Sequence, residues 1–199
     1  MSLELFKKRF SCREFKDEAL KDSDLHEILE AARLSPSSLG LEPWKFYLVK
    51  DKEKKAQIAT IAHNQNHVKT AGALIIIASR LDFASYFEAK LRARGMSEAD
   101  LKMRLETYKP FLEGMSESQK LAYAREQAYI ALSSILYAAE ILDIGSCAIG
   151  GFDKNALDKY LNLNTSKLQS TLIVALGKKA SDKTPPKQRF SFDEVVEEL

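Results

Sequence analysis

The sequence predicts a single domain in which helices are interleaved with a small sheet of about four strands. Two apolar runs, 73–78 and 168–176, are too short for a helical pattern and are typical of buried strands. A much longer apolar stretch follows Ser116 and predicts a central helix. With 199 residues, 45% of them hydrophobic, the chain can bury one sizeable core.

Elements in the first part of the chain follow from caps and apolar spacing. Asp22 or Ser23 caps a helix that runs to Leu34, and Asp51 caps another that runs to about Ala62. Aromatic and branched residues over 44–49 favour a strand. We also expect a short helix over 3–8 and a polar connection over 64–69.

Residues 82–112 form a charged, mostly helical excursion that is broken at Gly95. Its aromatic side chains are most simply explained by packing against the core. The alternative is a lid, because insertions of this kind often lie over pockets.

The central helix begins with a capping box, since Ser116 and Gln119 have the required spacing. From Ala128 to Leu142 it is apolar nearly all round, so it must be buried in a core or against a partner. The uncharged run is shorter than the roughly 20 residues needed to span a bilayer. A short strand over 146–149 then leads into a turn at 150–152 that contains two glycines and so exposes its backbone. A buried helix followed by such a turn suggests a scaffold that holds a cofactor.

The remaining elements lie near the C-terminus. Asp153 caps a helix to about Leu161, and Ser191 and Glu194 form a second capping box before a short final helix. Two prolines at 185–186 force an extended backbone through 187–189.

Charge and motifs exclude several classes of function. The 30 basic and 28 acidic residues are interspersed and leave a net charge of +2, so we expect no nucleic-acid partner. His63 and His67 lack a third nearby ligand for a metal, and no P-loop or dinucleotide fingerprint is present. The absence of a signal peptide pattern and of a disulfide framework predicts a cytoplasmic protein.

Five segments, in their order along the chain, resemble the nitroreductase family and are most similar to its oxygen-insensitive NAD(P)H enzymes. They are 9–15, 32–38, 43–46, 145–152 and 187–189. The resemblance implies an α+β fold, with a small, mostly antiparallel sheet flanked by helices and a long central helix in a dimer interface. It also implies an obligate homodimer that binds one FMN in each of two shared sites. The C-terminal tail, about 178–199, would extend onto the partner subunit.

The resemblance further implies the residues that bind FMN. Arg9, Lys187 and Arg189 would hold its phosphate, and Arg13 would face the pyrimidine edge and support the reduced flavin. The backbone N–H of Gly151 would point at flavin N5. The full set of cofactor-binding residues is Arg9, Phe10, Ser11, Arg13, Pro36, Ser37, Ser38, Asn64, His67, Gln127, Ile149, Gly150, Gly151, Lys187 and Arg189, of which Pro36 to Ser38 would reach the FMN of the other subunit.

The implied activity is the transfer of two electrons from NAD(P)H to nitroaromatic, quinone or related acceptors by a ping-pong mechanism. Acceptors would contact Leu39, Gly40, Tyr108 and Phe111. The chain departs from the family pattern at four positions near the flavin and the acceptor, namely Gly40, Glu42, His67 and Gly150. Enone reduction, reductive dehalogenation and a non-catalytic flavin-binding dimer are the alternatives.

Overall fold

The computed structural model describes residues 3–181 and 183–199, and these contain nine α-helices and four strands. The helices are α1 (Glu4–Lys8), α2 (Asp22–Arg33), α3 (Lys52–Ile61), α4 (Asn66–Lys69), α5 (Phe83–Arg92), α6 (Glu98–Glu113), α7 (Glu117–Ile141), α8 (Lys154–Tyr160) and α9 (Phe192–Val195). The strands are β1 (Trp44–Val49), β2 (Ala73–Arg80), β3 (Ile144–Ile149) and β4 (Leu168–Lys178), and a 3-10 helix spans Ser38–Gly40. No helix in this part of the chain has the length and apolar composition needed to cross a membrane.

The four strands form one sheet in the order β1-β2-β4-β3, and every neighbouring pair is antiparallel. The predicted α+β class with a small antiparallel sheet is confirmed. In β2, Ile75 and Ile77 face a core shared with α2 and α7, while Leu74 and Ile76 face a core shared with α3 and α8. Because both faces of the sheet are covered, the paired segments 73–78 of β2 and 172–176 of β4 are continuous apolar runs that do not alternate with polar residues.

Helix α7 begins with the predicted capping box. The Ser116 N–H donates to Oε1 of Gln119 at 2.8 Å, and the Gln119 N–H donates to Oγ of Ser116 at 3.3 Å. One side of the helix is buried on the sheet, through residues such as Ala128, Leu132 and Ile135. The other side keeps apolar residues in contact with solvent, since Tyr129, Ile130 and Ile141 are 55%, 39% and 63% exposed. A single chain therefore covers only part of the apolar surface of α7.

The excursion folds as α5 and α6 and builds a third core against the start of α7. Phe83 and Phe87 are buried there together with Leu41 and Ala124. The interpretation that its aromatic residues pack against a core is confirmed for these side chains. Phe111, by contrast, is 55% exposed.

Two predictions about local structure are wrong. The N-cap of α2 is Lys21, and Asp22 is its first helical residue. The Asp22 carboxylate does not cap the helix and instead accepts a 2.7 Å hydrogen bond from Nζ of Lys50. The connection over 64–69 contains the short helix α4, which forms because Val68 is buried in the core beside α3.

The caps at the other predicted positions are confirmed. Asp51 accepts from the Lys54 N–H at 2.8 Å, and Asp153 accepts from the Ala156 N–H at 3.0 Å. Near the C-terminus, the Ser191 N–H donates to the Glu194 carboxylate at 2.8 Å, at the start of α9. The described residues from 183 onward are all exposed and include several apolar side chains: Phe190, Phe192, Val195, Val196 and Leu199.

Candidate functional site

The irregular stretch that carries Arg9 to Arg13 lies along the outer edge of β3. Ser11 and Ser146 form an isolated parallel bridge, and the Cys12 N–H donates to the Ser146 carbonyl oxygen at 3.0 Å. A Cβ atom on Gly145 would lie 2.9 Å from Cys12 Sγ, so this close approach requires glycine. Pairing with β3 therefore fixes Ser11 and its neighbours against the sheet.

Three cations meet at the end of this stretch. The Nζ of Lys187 donates a hydrogen bond to the Arg9 carbonyl oxygen, and a cavity of about 330 Å³ is lined by Arg9, Phe10, Ser11 and residues 185–189. Partial loss of hydration, and then the charges of Arg9 and Arg189, lower the pKa of Lys187. None of the three cations forms a salt bridge with a carboxylate among residues 3–181 and 183–199. The cavity thus gathers positive charge in the arrangement that suits a phosphate.

His67 lies on α4, close enough to Arg13 to be affected by its charge. The side chain is 7% exposed, and its Nε2 has no hydrogen-bond partner in the part of the chain that the structure describes. Burial, and secondly the Arg13 charge, lower the pKa of His67 below its ordinary value of 6.5. His67 is therefore neutral at pH 7. A buried polar atom without a partner indicates a place where a ligand can bind.

Two hydrogen bonds join the glycine turn after β3 to the end of α3 and to the connection between α3 and α4. Gln65 Nε2 donates to the Gly151 carbonyl oxygen at 2.9 Å, and the Asp153 N–H donates to the Ile61 carbonyl oxygen at 3.1 Å. A Cβ atom built on Gly151 would meet nothing within 4 Å, so its backbone borders open space. Ile149 is 4% exposed and packs in the core, which leaves mainly its backbone for a ligand.

Sequence reasoning did not identify Gln65. Its predicted neighbour Asn64 is exposed and has a positive φ of 56°. Nothing in the local sequence indicates that Gln65 reaches Gly151, because the two residues are 86 positions apart.

A second group of predicted flavin residues lies on the loop before β1. The side-chain oxygen of Gln127, on α7, accepts a 2.8 Å hydrogen bond from the Ser38 N–H. Oγ of Ser37 accepts from the Glu42 N–H at 2.9 Å, which closes the loop on itself. Gln127 is 8% exposed, so the loop is attached to a buried position on the central helix.

The predicted acceptor residues belong to the same region. Leu39 and Tyr108 both pack against the third core, and the exposed Phe111 ring lies edge-on to Tyr123 at 6.3 Å between centroids. Gly40 is contacted by Arg94, whose Nη2 donates to the carbonyl oxygens of Leu39 at 2.8 Å and Gly40 at 3.2 Å. Sequence reasoning missed Arg94 as well, since no motif includes it.

The predicted site therefore separates into two groups. We call the first the cationic half-site, formed by residues 9–13, His67, Gly150–Gly151 and residues 187–189. We call the second the loop half-site, formed by residues 36–40, Tyr108, Phe111 and Gln127. Within the described ranges no hydrogen bond joins the two groups.

Comparison with known proteins agrees with this arrangement of elements. A family model described as the nitroreductase family matches residues 6–178. An oxygen-insensitive NADPH nitroreductase of Helicobacter pylori strain J99 is 30% identical over 199 aligned positions, which cover 97% of this chain and 94% of the relative. A nitroreductase family protein of Streptococcus pneumoniae has a TM-score of 0.86 at 28% identity, with 99% of each chain covered.

A further structure, from Exiguobacterium sibiricum and in complex with FMN, has the same fold. Its TM-score is 0.84 at 20% identity, with 99% of this chain and 96% of that chain covered. The matched family model and the relatives span nearly the whole chain. This chain belongs to the nitroreductase family.

Proposed function

We propose that the protein is an FMN-dependent homodimer that passes two electrons from NAD(P)H to nitroaromatic, quinone or related acceptors. The observation that carries the proposal is the cavity lined by Arg9 and Lys187, with Arg189 beside them and no carboxylate paired with any of the three in the described ranges. The name of the Helicobacter pylori relative supports an NADPH-dependent nitro reduction, and the Exiguobacterium sibiricum complex supports FMN.

The residues of the cationic half-site fit FMN. Arg9, Lys187 and Arg189 would hold the phosphate through charge-assisted hydrogen bonds. His67 Nε2, which has no partner among the described residues, and the exposed backbone of Gly151 offer hydrogen-bonding groups to a flat ring. Arg13 would place positive charge near that ring, where it stabilises the negative charge added on reduction. When bound, FMN supplies the hydride-transfer chemistry, which no side chain can supply.

The proposed reaction balances for a nitro acceptor. NAD(P)H and one proton reduce ArNO₂ to ArNO, and NAD(P)⁺ and water are released. The loop half-site would cover the acceptor with Leu39, Gly40, Tyr108 and Phe111. No dinucleotide fingerprint provides a separate nicotinamide site, so donor and acceptor would use one site in turn.

A homodimer is supported by two surfaces. Helix α7 exposes Ile130 and Ile141 on the side that faces away from the sheet, and the C-terminal tail exposes Phe190 and Phe192. Burial of such side chains drives stable association. We propose that the loop half-site of one subunit completes the cationic half-site of the other, and that the tail, about 178–199, extends onto the partner.

Absorption spectroscopy tests the proposed function. The purified protein should carry FMN, lose its yellow absorbance when NAD(P)H is added without oxygen, and recover it with 4-nitrobenzamide but not with 2-cyclohexenone. Recovery with the enone alone would indicate a different FMN reaction. Failure of NAD(P)H to bleach the bound FMN would indicate a non-catalytic flavin-binding dimer, and failure to bind FMN would refute the proposal altogether.

A further inference from the structure

Arg94 reaches from the connection between α5 and α6 to the loop that carries Leu39 and Gly40. Its Nη2 donates to both carbonyl oxygens of that loop, at 2.8 Å and 3.2 Å. The two residues have positive φ values, 54° for Leu39 and 59° for Gly40. Leucine seldom adopts this conformation because its Cβ crowds the backbone, so the loop needs contacts that hold it in place.

The Arg94 guanidinium occupies the space that a side chain at position 40 would use. A Cβ atom on Gly40 would lie 2.3 Å from Arg94 Nη2 and 3.2 Å from Cζ. Glycine at position 40 allows the guanidinium to approach this closely, and it also adopts the positive φ at little steric cost. Since Gly40 has no side chain of its own, the Arg94 guanidinium places a polar, charged group at this part of the loop half-site.

In the part of the chain that the structure describes, the acids near Arg94 are paired with other cations. Arg92, two residues away, bonds to Glu88 at 2.9 Å, and Glu42 on the loop is paired with Lys90 at 2.9 Å. Arg94 is exposed and forms no salt bridge with any carboxylate in the described ranges. Within residues 3–181 and 183–199, Arg94 donates hydrogen bonds through Nη2 alone, which leaves its Nε and Nη1 hydrogens available. A guanidinium with free N–H groups binds carboxylates well.

We propose that Arg94 is a specificity-determining residue of the acceptor site, and that it favours acceptors that carry a carboxylate on the same aromatic ring as the group to be reduced. This inference rests on the proposed function, because Leu39 and Gly40 border the acceptor only in that function. Arg94 both holds the Leu39–Gly40 turn and supplies the positive charge that binds the acceptor's carboxylate.

Two substitutions separate these roles. Arg94→Gln removes the charge but keeps an N–H donor for the loop carbonyls, and Arg94→Lys keeps the charge. Arg104→Ala is the matched control, because Arg104 is another exposed arginine of the same excursion, on α6. The FMN-loaded variants are titrated calorimetrically with benzoate and benzamide, which differ in charge and cannot be reduced, and kcat/KM is then measured for 4-nitrobenzoate and 4-nitrobenzamide.

The unaltered protein should bind benzoate more tightly than benzamide. Arg94→Gln should lower this preference about two- to fivefold, the size expected for one charge contact at an exposed site, while Arg94→Lys retains most of it. The ratio of kcat/KM for the two nitro acceptors should change in parallel, and Arg104→Ala should leave both ratios unchanged.

Equal benzoate and benzamide affinities in the unaltered protein would overturn the inference. So would an Arg94→Gln variant in which affinity for both compounds falls together, because Arg94 would then only hold the loop. The titrations decide this without turnover. If benzoate preference depends on Arg94 but neither nitro acceptor is reduced, the inference about charge stands and the proposed reduction of nitroaromatic acceptors is wrong.

Discussion

The side-chain amide of Gln65 donates a 2.9 Å hydrogen bond to the carbonyl oxygen of Gly151. The same Nε2 also donates to the Ala62 carbonyl oxygen at 2.9 Å, so Gln65 joins the end of α3 to the glycine turn. A turn of two glycines has more conformational freedom than any other dipeptide. Gln65 removes part of that freedom at the point where the bare Gly151 backbone borders open space.

Gln65→Ala should therefore weaken FMN binding. One hydrogen bond of this type contributes roughly 0.5–1.5 kcal/mol, which corresponds to about a two- to tenfold change in the dissociation constant. Fluorescence titration of flavin-free protein with FMN measures the change. Gln57→Ala is the control, because Gln57 bonds to Tyr160 at 2.9 Å, away from the turn. Equal affinities in Gln65→Ala and the unaltered protein would show that the turn is rigid without Gln65.

Arg9→Ala and Arg189→Ala should each weaken FMN binding more strongly. A hydrogen bond to a charged phosphate contributes roughly 1.5–3 kcal/mol, or about ten- to a hundredfold in affinity. The purified variants should lose their yellow colour on dialysis, whereas Lys8→Ala, an exposed cation next to Arg9, should keep it. Stoichiometric FMN in both arginine variants after extensive dialysis would contradict the phosphate assignment.

Ile141→Glu should dissociate the proposed dimer. Ile141 is 63% exposed within the chain, so a carboxylate there would leave the subunit folded but would be buried without a partner in the interface. Sedimentation velocity at low micromolar concentration should show a dimer for the unaltered protein and a monomer for this variant. Met103→Glu changes an equally apolar side chain, 56% exposed on α6, and should remain dimeric. An unaltered protein that sediments as a monomer and still binds FMN would rule out the shared site.

His67 should make stability depend on pH. Its pKa is lowered in the folded state by burial and by the Arg13 charge, so the unfolded chain binds more protons at mildly acidic pH. The contribution of neutral His67 to the free energy of unfolding is then fully present above pH 6.5, and it is lost as the pH falls through the folded-state pKa of His67.

Urea unfolding of flavin-free protein, at one protein concentration and at about pH 7.5 and pH 5, measures this effect. His67→Gln should lose less stability between the two pH values than the unaltered protein does. His26→Gln, which alters an exposed histidine on α2, should behave like the unaltered protein. An identical loss in His67→Gln and the unaltered protein would contradict the argument.

Steady-state kinetics should follow a ping-pong pattern if donor and acceptor share the site above FMN. Initial rates at varied NAD(P)H and nitro acceptor concentrations should give parallel double-reciprocal lines. Intersecting lines together with a detected ternary complex would refute the shared site.

The sequence by itself determined the four strands, most helix starts and the family. These features depend on local patterns: the strands are short apolar runs, and the caps at Ser116, Asp51 and Asp153 each act within three residues. Asp22 shows the limit of this reasoning, because its carboxylate bonds to Lys50, which is 28 positions away in the sequence. A local pattern cannot exclude a distant competitor for the same side chain.

Only the tertiary structure decided which distant residues meet. Lys187 contacts Arg9, Gln65 contacts Gly151, and Arg94 contacts Gly40, across 178, 86 and 54 positions. The resemblance already assigns Pro36 to Ser38 to the FMN of the other subunit, but no motif gives the hydrogen bonds that build the two half-sites. The physical reason is that these contacts depend on how strands and helices pack: pairing with β3 fixes residues 11 and 12, and the third core fixes Leu39 beside the α5–α6 excursion.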